Sequence, residues 1–211
     1  MEEVLYARGC ANSLGLVCQV LVNVPNTELI GKVKITGAPL GVVIDDTLSP
    51  EELQERYNNR FFVPSNPWYV PLCEQSVRTA VMQDGGVIYG SLSGHYAEHV
   101  AQCYRLANFD YRGLVGNPLH VSSISPDGLA VELAFLALLK EKEAVALESS
   151  QTSSEYHPEW YRERFLEFAT SHTLPFAEKA RKCLEFPKPD FYQTVASLAA
   201  VLLSYICGAQ A

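Results

Sequence analysis

Two histidines, His95 and His99, have the spacing that metal chemistry would use. They stand four positions apart with Glu98 between them, so a helix would place both imidazoles on one face. The order of residues differs from the HExxH pattern of zinc hydrolases, and no third ligand is evident near the pair in the sequence. A solvated helix face is the preferred interpretation, so we predict neither a metal nor another cofactor. A metal-dependent hydrolase that uses this pair stays open as the enzymatic alternative.

Sequence patterns for other enzyme chemistry are missing. Gly85, Gly86 and Gly90 lie outside the strand–GxGxxG–helix context of a dinucleotide site, and the sequence contains no P-loop and no GxSxG. Its six cysteines are scattered without a CxxC pair, which argues against a zinc ribbon or a thioredoxin motif. The residues themselves therefore give little support for catalysis.

Large aromatic side chains and prolines alternate between Phe61 and Pro71. Prolines stiffen such a loop, so its aromatic side chains can offer a preorganised apolar surface to a peptide. Alternatively, Phe61 and Phe62 fill the core, and only Trp68 and Tyr69 lie near the surface. Both interpretations make this segment the most informative loop of the sequence.

The composition is that of a soluble globular protein. The chain has 211 residues, a formal charge of −8 and 48% hydrophobic residues, which suits a single domain over residues 1–211. An acidic protein repels phosphate backbones and attracts basic peptides, so we predict no nucleic-acid partner. The N-terminus is acidic, no apolar run approaches about 18 residues, and the segment from Val195 to Ile206 is interrupted by serines. We therefore predict a cytoplasmic protein without stable membrane insertion.

Helix-start signals in the sequence indicate the helices that position the histidines and the aromatic loop. Serine caps a helix, proline fits its first turn and acidic residues favour its N-terminal end, and Ser49-Pro50-Glu51-Glu52 combines all three. The apolar periodicity predicts an all-α, single-domain bundle of about seven to nine helices without a repeat period. The predicted helices cover residues 3–22, 27–33, 50 to before 64, 72–82, 95–107, 125–148, 158–168, 174–184 and 191–206.

The segments between these helices are predicted to be irregular. Residues 34–46 form a loop or a short hairpin, Asp84-Gly85-Gly86 is a turn, and 109–124 is a long loop. The polar run from Ser149 to Ser154 is a linker between two helices.

Two acidic residues, Asp127 and Glu132, accompany the start of the longest predicted helix. We expect Asp127 in the first turn after Ser125 and Pro126, where its carboxylate can accept hydrogen bonds from free backbone N–H groups. For Glu132, we expect a hydrogen bond within the helix or an ion pair. Further along this helix, Leu129, Leu133, Leu136 and Lys140 should stack on one side.

A series of short motifs follows the order seen in one family of chaperones. The motifs are Tyr57-x2-Arg60-Phe61-Phe62-Val63, Val70-Pro71-Leu72-Cys73-Glu74-Gln75-Ser76-Val77, Tyr89-Gly90 before a helix that ends in Tyr104, the run from Ser125-Pro126-Asp127 to Leu139, Phe168-x3-His172-x2-Pro175-Phe176, and Phe191-Tyr192. Together they resemble the TorD/DmsD/NarJ family of redox-enzyme maturation chaperones. Residues 1–48 are the least similar part, and Asp127-Gly128 stands where the family has Asp-His.

The resemblance implies an all-helical cytoplasmic chaperone that catalyses nothing. Its client would be the catalytic-subunit precursor of a molybdopterin oxidoreductase, bound through the twin-arginine signal peptide or as the apo form. Such a chaperone would assist cofactor insertion and hold back export until the cofactor is in place. A twin-arginine peptide joins two guanidinium groups to an apolar stretch, which carboxylates and an aromatic wall could bind respectively. A helical adaptor for a folded partner stays open as the second alternative.

We expect the peptide site between the loop 62–74 and the start of the helix that follows Asp127. Trp68 and Tyr69 would supply apolar contact, and Glu74 and Asp127 would supply negative charge to the arginines. With the residues of the other motifs, the predicted client-binding set is Phe62, Trp68, Tyr69, Pro71, Glu74, Gly90, Asp127 and His172. No residue is predicted to be catalytic or to bind a metal, and the protein is expected to be a monomer or a weak homodimer.

Overall fold

The computed structural model describes residues 1–44, 47–149 and 157–209. Helices make up 68% of the chain, and the predicted all-α, single-domain fold is confirmed. The α-helices are α1 (Glu2–Val22), α2 (Thr27–Gly37), α3 (Pro50–Phe61), α4 (Glu74–Arg78), α5 (His95–Leu106), α6 (Pro118–Val121), α7 (Leu129–Glu148), α8 (Pro158–Phe168), α9 (Leu174–Cys183) and α10 (Phe191–Gly208). The predicted linker 149–154 lies, apart from Ser149, outside the described residues.

A π-helical turn over Ala169–Thr173 joins α8 to α9 without a break. With this continuous helix counted once, the described part of the chain holds nine helices, at the upper end of the predicted number. Short π-helical turns are frequent at functional sites, and this one contains His172.

The core is built around α7, which packs along α1 on one side and against α8 on another, while α10 packs against α9. The apolar stripe predicted for α1 faces the core, and its residues Leu14, Val17 and Leu21 are all buried. The stack predicted on α7 is also buried, including the charged Lys140, whose ammonium group lies 2.7 Å from the carboxylate of Glu143. A buried amine needs such a partner, since an isolated charge in the core would be costly.

The predicted cap of α3 is present as a reciprocal pair of hydrogen bonds. The backbone N–H of Glu52 donates to the hydroxyl of Ser49 (3.2 Å), and the backbone N–H of Ser49 donates to the carboxylate of Glu52 (2.8 Å). This capping box satisfies two backbone donors at the start of the helix. It fixes where α3 begins, and therefore where the loop that follows α3 leaves the core.

The prediction of a helix over residues 72–82 is wrong for the second half of this range. The described residues form only α4 there, followed by an antiparallel hairpin of β1 (Val81–Gln83) and β2 (Gly86–Ile88) with Val81 opposite Ile88. The turn between the strands contains Gly85, whose φ of 98° is a conformation that favours glycine. The predicted turn is thus present, but it joins two short strands.

Two other irregular segments contain more helix than predicted. In place of a loop or hairpin after residue 33, α2 continues to Gly37 and passes into a 3-10 helix over Ala38–Leu40, while Asp45 and Asp46 lie outside the described residues. The predicted long loop 109–124 includes a 3-10 helix at Tyr111–Gly113 and the short helix α6. Asn117 caps α6 by accepting a hydrogen bond from the backbone N–H of Leu119 (3.0 Å), a local signal that the sequence interpretation missed.

Two helices, α1 and α10, are long and apolar enough to cross a membrane by length and composition alone. In the fold, about half of the most apolar part of each helix is buried, 44% for α1 and 56% for α10. Core helices of soluble proteins share these properties. The burial of Leu198, Leu202 and Ile206 fits the predicted role of the last helix as a core element.

Candidate binding cavity and buried histidine cluster

The aromatic loop and the start of α7 are held together by backbone pairing, as expected from the sequence. Cys73 and Gly128 form an isolated antiparallel bridge. The backbone N–H of Glu74 donates to the carbonyl of Asp127 (2.7 Å), and that of Leu129 donates to the carbonyl of Leu72 (3.1 Å). Two segments more than fifty positions apart in the sequence are thereby fixed side by side.

Asp127 lies outside the first turn of α7, contrary to the expectation. The helix begins at Leu129 with Gly128 as its N-cap, and the carboxylate of Asp127 instead accepts a hydrogen bond from the backbone N–H of Gln75 (3.0 Å). The hydroxyl of Ser125 donates to its other oxygen. The carboxylate therefore caps α4 across the backbone bridge, and Asp127 has no exposed surface.

A cavity of about 340 Å³ lies between these two segments. The loop contributes Phe62, Tyr69 and Pro71 to its wall, and the other side is formed by residues at the start of α7, including Leu129. The volume is within the range of about 300–1,000 Å³ that is usual for ligand pockets. Among the described residues that line it there is no carboxylate, lysine or arginine side chain, so the cavity is suited to an apolar group.

His120 is one of several lining residues that were not predicted from the sequence. It is the third residue of α6, and its Nδ1 lies 3.2 Å from the hydroxyl of the buried Tyr57. Burial lowers the pKa of His120, which favours the neutral imidazole. A neutral His120 keeps the cavity uncharged. The only sequence signal for it was the Asn117-Pro118 helix start just before it.

Three of the predicted client-binding residues, Phe62, Tyr69 and Pro71, line the cavity. Trp68 does not line it, and its ring packs instead against the guanidinium group of Arg60, 4.6 Å from the ring centroid. Gly90 is a packing residue: its N–H donates to the carbonyl of Ser76 (3.2 Å), and a Cβ there would run into the side chain of Thr79.

Arg60 holds the aromatic loop in place from inside the fold. It is completely buried, and its Nε donates to the carboxylate of Asp190 at 2.8 Å. The remaining donors of the guanidinium group bind the carbonyls of Trp68 (3.1 Å), Leu184 (2.9 Å), Phe186 (2.6 Å) and Lys188 (3.0 Å). The planar fork of arginine suits such a set of acceptors, so the loop is joined to the connection between α9 and α10.

The remaining predicted residues, Glu74 and His172, belong to a chain of hydrogen-bonded groups beside the cavity. One carboxylate oxygen of Glu74 lies 2.6 Å from Arg78, and the other lies 2.8 Å from Nδ1 of His172. His172 belongs to the π-helical turn, and its Nε2 lies 2.7 Å from Nδ1 of His99 on α5. Glu74 has no exposed surface and His172 is 4% exposed, whereas His99 reaches the surface.

His95 and His99 lie one turn apart on α5, as their spacing indicated, and both are exposed, but His99 is paired with His172. His95 is exposed and stacks against Tyr96, with 4.0 Å between the ring centroids. Within the described ranges, no group of three or more His, Cys, Asp or Glu residues is arranged to hold a metal ion.

Glu132 contradicts the expectation of a hydrogen bond or an ion pair. It is completely buried on α7, and neither carboxylate oxygen has a hydrogen-bond partner among the described residues. Burial is the main cause that raises the pKa of Glu132 well above its usual range, and the nearby charge of Glu74 adds to it. The hydroxyl of Thr173 acts in the opposite direction, but it too lacks a hydrogen-bond partner. The environment therefore favours the protonated carboxyl group.

A second, smaller cavity of about 150 Å³ lies next to the two paired histidines. Phe135, Trp160 and Phe168 form apolar parts of its wall, and both His99 and His172 line it. The cavity lies between α5 and the continuous helix from α8 to α9. The imidazole pair is therefore part of the contact that closes these elements against each other.

Comparison of the chain with protein-family models, with curated proteins and with solved structures gives no match.

Proposed function

We propose that this protein is a maturation chaperone of the TorD/DmsD/NarJ type, which binds the signal peptide of a molybdopterin oxidoreductase precursor. The observation that carries the proposal is the apolar cavity between the loop 62–74 and the start of α7. The protein acts by binding alone, in the cytoplasm, where it meets its client before twin-arginine export.

The cavity suits the apolar stretch of such a peptide. Phe62 and Tyr69 form part of its wall, and Leu92 also lines it while 62% of its surface is exposed. An apolar side chain therefore stands where the cavity opens to solvent. Burial of apolar surface favours binding by about 25 cal/mol per Å², but a disordered peptide loses entropy when it becomes ordered. We expect moderate affinity as a result.

The arginines of the peptide require acceptors other than those first expected. Glu74 and Asp127 have no exposed surface, and both carboxylates already accept hydrogen bonds from groups of the chain. We propose that the guanidinium groups stay outside the cavity and bind carboxylates on the surface. The formal charge of −8 favours the approach of a basic peptide.

Replacement of Tyr69 by alanine is expected to weaken peptide binding by roughly 1–3 kcal/mol, or about 5- to 150-fold, because it removes an aromatic wall of the cavity. Tyr205→Ala is the matched control, since Tyr205 is 57% exposed on α10 and does not line the cavity. The measurement is a calorimetric titration of each variant with the signal peptide of a molybdoenzyme from the same genome. Circular dichroism establishes that the variants are folded.

Two results would count against the proposal in different ways. If Tyr69→Ala binds as tightly as Tyr205→Ala, the peptide does not occupy this cavity. If the wild-type protein binds no molybdoenzyme precursor, either as a signal peptide or as the apo-enzyme, the chaperone function itself is wrong.

A further inference from the structure

The contact between His99 and His172 has room for a single proton between its two facing nitrogens. Nδ1 of His99 and Nε2 of His172 are 2.7 Å apart, and the rings lie nearly parallel at 25° with 4.8 Å between their centroids. One nitrogen must donate and the other must accept. If both rings are imidazolium ions, both facing nitrogens carry hydrogen, and the contact cannot persist.

The buried carboxylate of Glu74 determines how the pair takes up protons. It accepts from Nδ1–H of His172 at 2.8 Å, so Nε2 of a neutral His172 is left to accept from Nδ1–H of His99. A first proton converts His172 to imidazolium, which then donates both to Glu74 and to His99. A second proton on His99 has no acceptor in this arrangement and meets a positive charge across 2.7 Å.

The charged groups around the pair are of both signs and do not remove this conflict. Glu74 stabilises the first proton, whereas Arg78, which contacts Glu74, opposes further positive charge. Further titratable groups on the surrounding elements include His95, Tyr96, Glu98, Cys103 and Tyr104 on α5, Asp127 just before α7, Glu132 on α7, and Arg164 and Glu167 on α8.

We propose that the chain Glu74–His172–His99 is an acid-sensitive latch between α5 and the π-helical turn. At neutral pH the imidazole pair closes the cavity of about 150 Å³ that both rings line. On acidification His99, which reaches the surface, takes up the second proton and turns to solvent, and the cavity opens. The latch is independent of the proposed chaperone function, because it involves a different cavity.

Trp160 provides a direct readout, because it lines the same cavity. The chain has two tryptophans, so Trp68→Phe leaves Trp160 as the only one. We expect its fluorescence to change sigmoidally on acidification. His99→Gln in this background should abolish the transition, since glutamine can still donate to His172 but takes up no proton. His95→Gln, one turn earlier on the same helix and exposed, should leave it unchanged.

The latch is wrong if Trp160 shows no transition, if the transition survives His99→Gln, or if His95→Gln removes it as well. Far-UV circular dichroism at each pH separates opening of the cavity from global unfolding. If His99→Gln does not fold, proton NMR of the ring protons of the wild-type protein decides. The proposal expects His99 and His172 to report two shared titration steps, and independent single-step titrations of the two rings would overturn it.

Discussion

At the scale of single residues, Glu132 is the side chain whose chemistry is least compatible with its surroundings. Its carboxyl group is fully buried without a hydrogen-bond partner in the described part of the chain, close to the carboxylate of Glu74. Burial holds its pKa well above the usual range, so the folded protein retains a proton there that the unfolded chain releases. Stability supplied by this residue is therefore complete below the unfolded pKa of about 4.3 and is lost progressively as the pH rises towards the folded pKa.

Glu132→Gln is expected to stabilise the protein at high pH, because glutamine has the same shape and cannot ionise. We expect a gain in the free energy of unfolding of more than about 1 kcal/mol at pH 8 and little change near pH 4.5. Thermal or urea unfolding across this range measures the effect, with Glu98→Gln on the exposed face of α5 as the control. A gain of the same size at both pH values would contradict the assigned protonation state.

At the scale of elements, Arg60 joins three parts of the fold. It belongs to α3, its guanidinium group binds the carbonyl of Trp68 in the aromatic loop, and its Nε contacts Asp190, the N-cap of α10. In addition, the carbonyl of Arg60 accepts a hydrogen bond from the backbone N–H of Val70 (2.8 Å). The position of the loop that forms one wall of the large cavity therefore depends on one buried cation.

Arg60→Lys is expected to destabilise the protein by roughly 1–3 kcal/mol, because lysine keeps the charge but leaves buried carbonyls without a hydrogen-bond donor. An ammonium group cannot reach the carboxylate and four carbonyls at once. Arg56→Lys, one turn earlier on the same helix and partly exposed, should change the free energy of unfolding by less than about 0.5 kcal/mol. Urea denaturation of both variants tests this. Equal changes in the free energy of unfolding would show that the hydrogen bonds of the Arg60 guanidinium group do not stabilise the fold.

Elements whose signals are local could be predicted from the sequence. The capping box at Ser49 and the apolar stripe of α1 depend on residues within a few positions of each other, and both are present. The hairpin was missed because Val81 and Met82 continue the apolar pattern of the preceding helix. The two-residue turn with Gly85 that redirects the chain is brief, and such turns are weak signals within a helical protein.

The candidate site was only partly predictable for a related reason. Phe62, Tyr69 and Pro71 were predicted to contact a peptide because they lie in an aromatic, proline-rich loop, and all three line the cavity. The same pattern also allowed Phe62 to fill the core. His99 and His172 are 73 positions apart in the sequence. Asp127 caps α4 through the backbone N–H of Gln75, which is 52 positions away. Contacts across such separations depend on tertiary packing, which a single sequence does not specify.

At the scale of the whole molecule, the helices hold two walls of an apolar cavity at a fixed distance. α1 and α7 pack against each other in the core, and Leu21 of α1 and Leu129 of α7 both line the cavity of about 340 Å³. The backbone bridge between Cys73 and Gly128 fixes the loop to this core. A cavity built on core helices is preorganised, so little of the binding free energy is lost in ordering the protein.

The central claim is that this cavity receives the apolar stretch of a molybdoenzyme precursor, and site-specific photo-crosslinking tests it most directly. A benzophenone amino acid would replace Leu92, which lines the cavity and is 62% exposed, or Ile35, which is 76% exposed on α2 and does not line it. Each protein would be irradiated with the precursor signal peptide under conditions where binding is saturated. We expect a crosslink from position 92 to the apolar stretch of the peptide and none from position 35. Equal crosslinking from both positions, or crosslinking from position 35 alone, would contradict it.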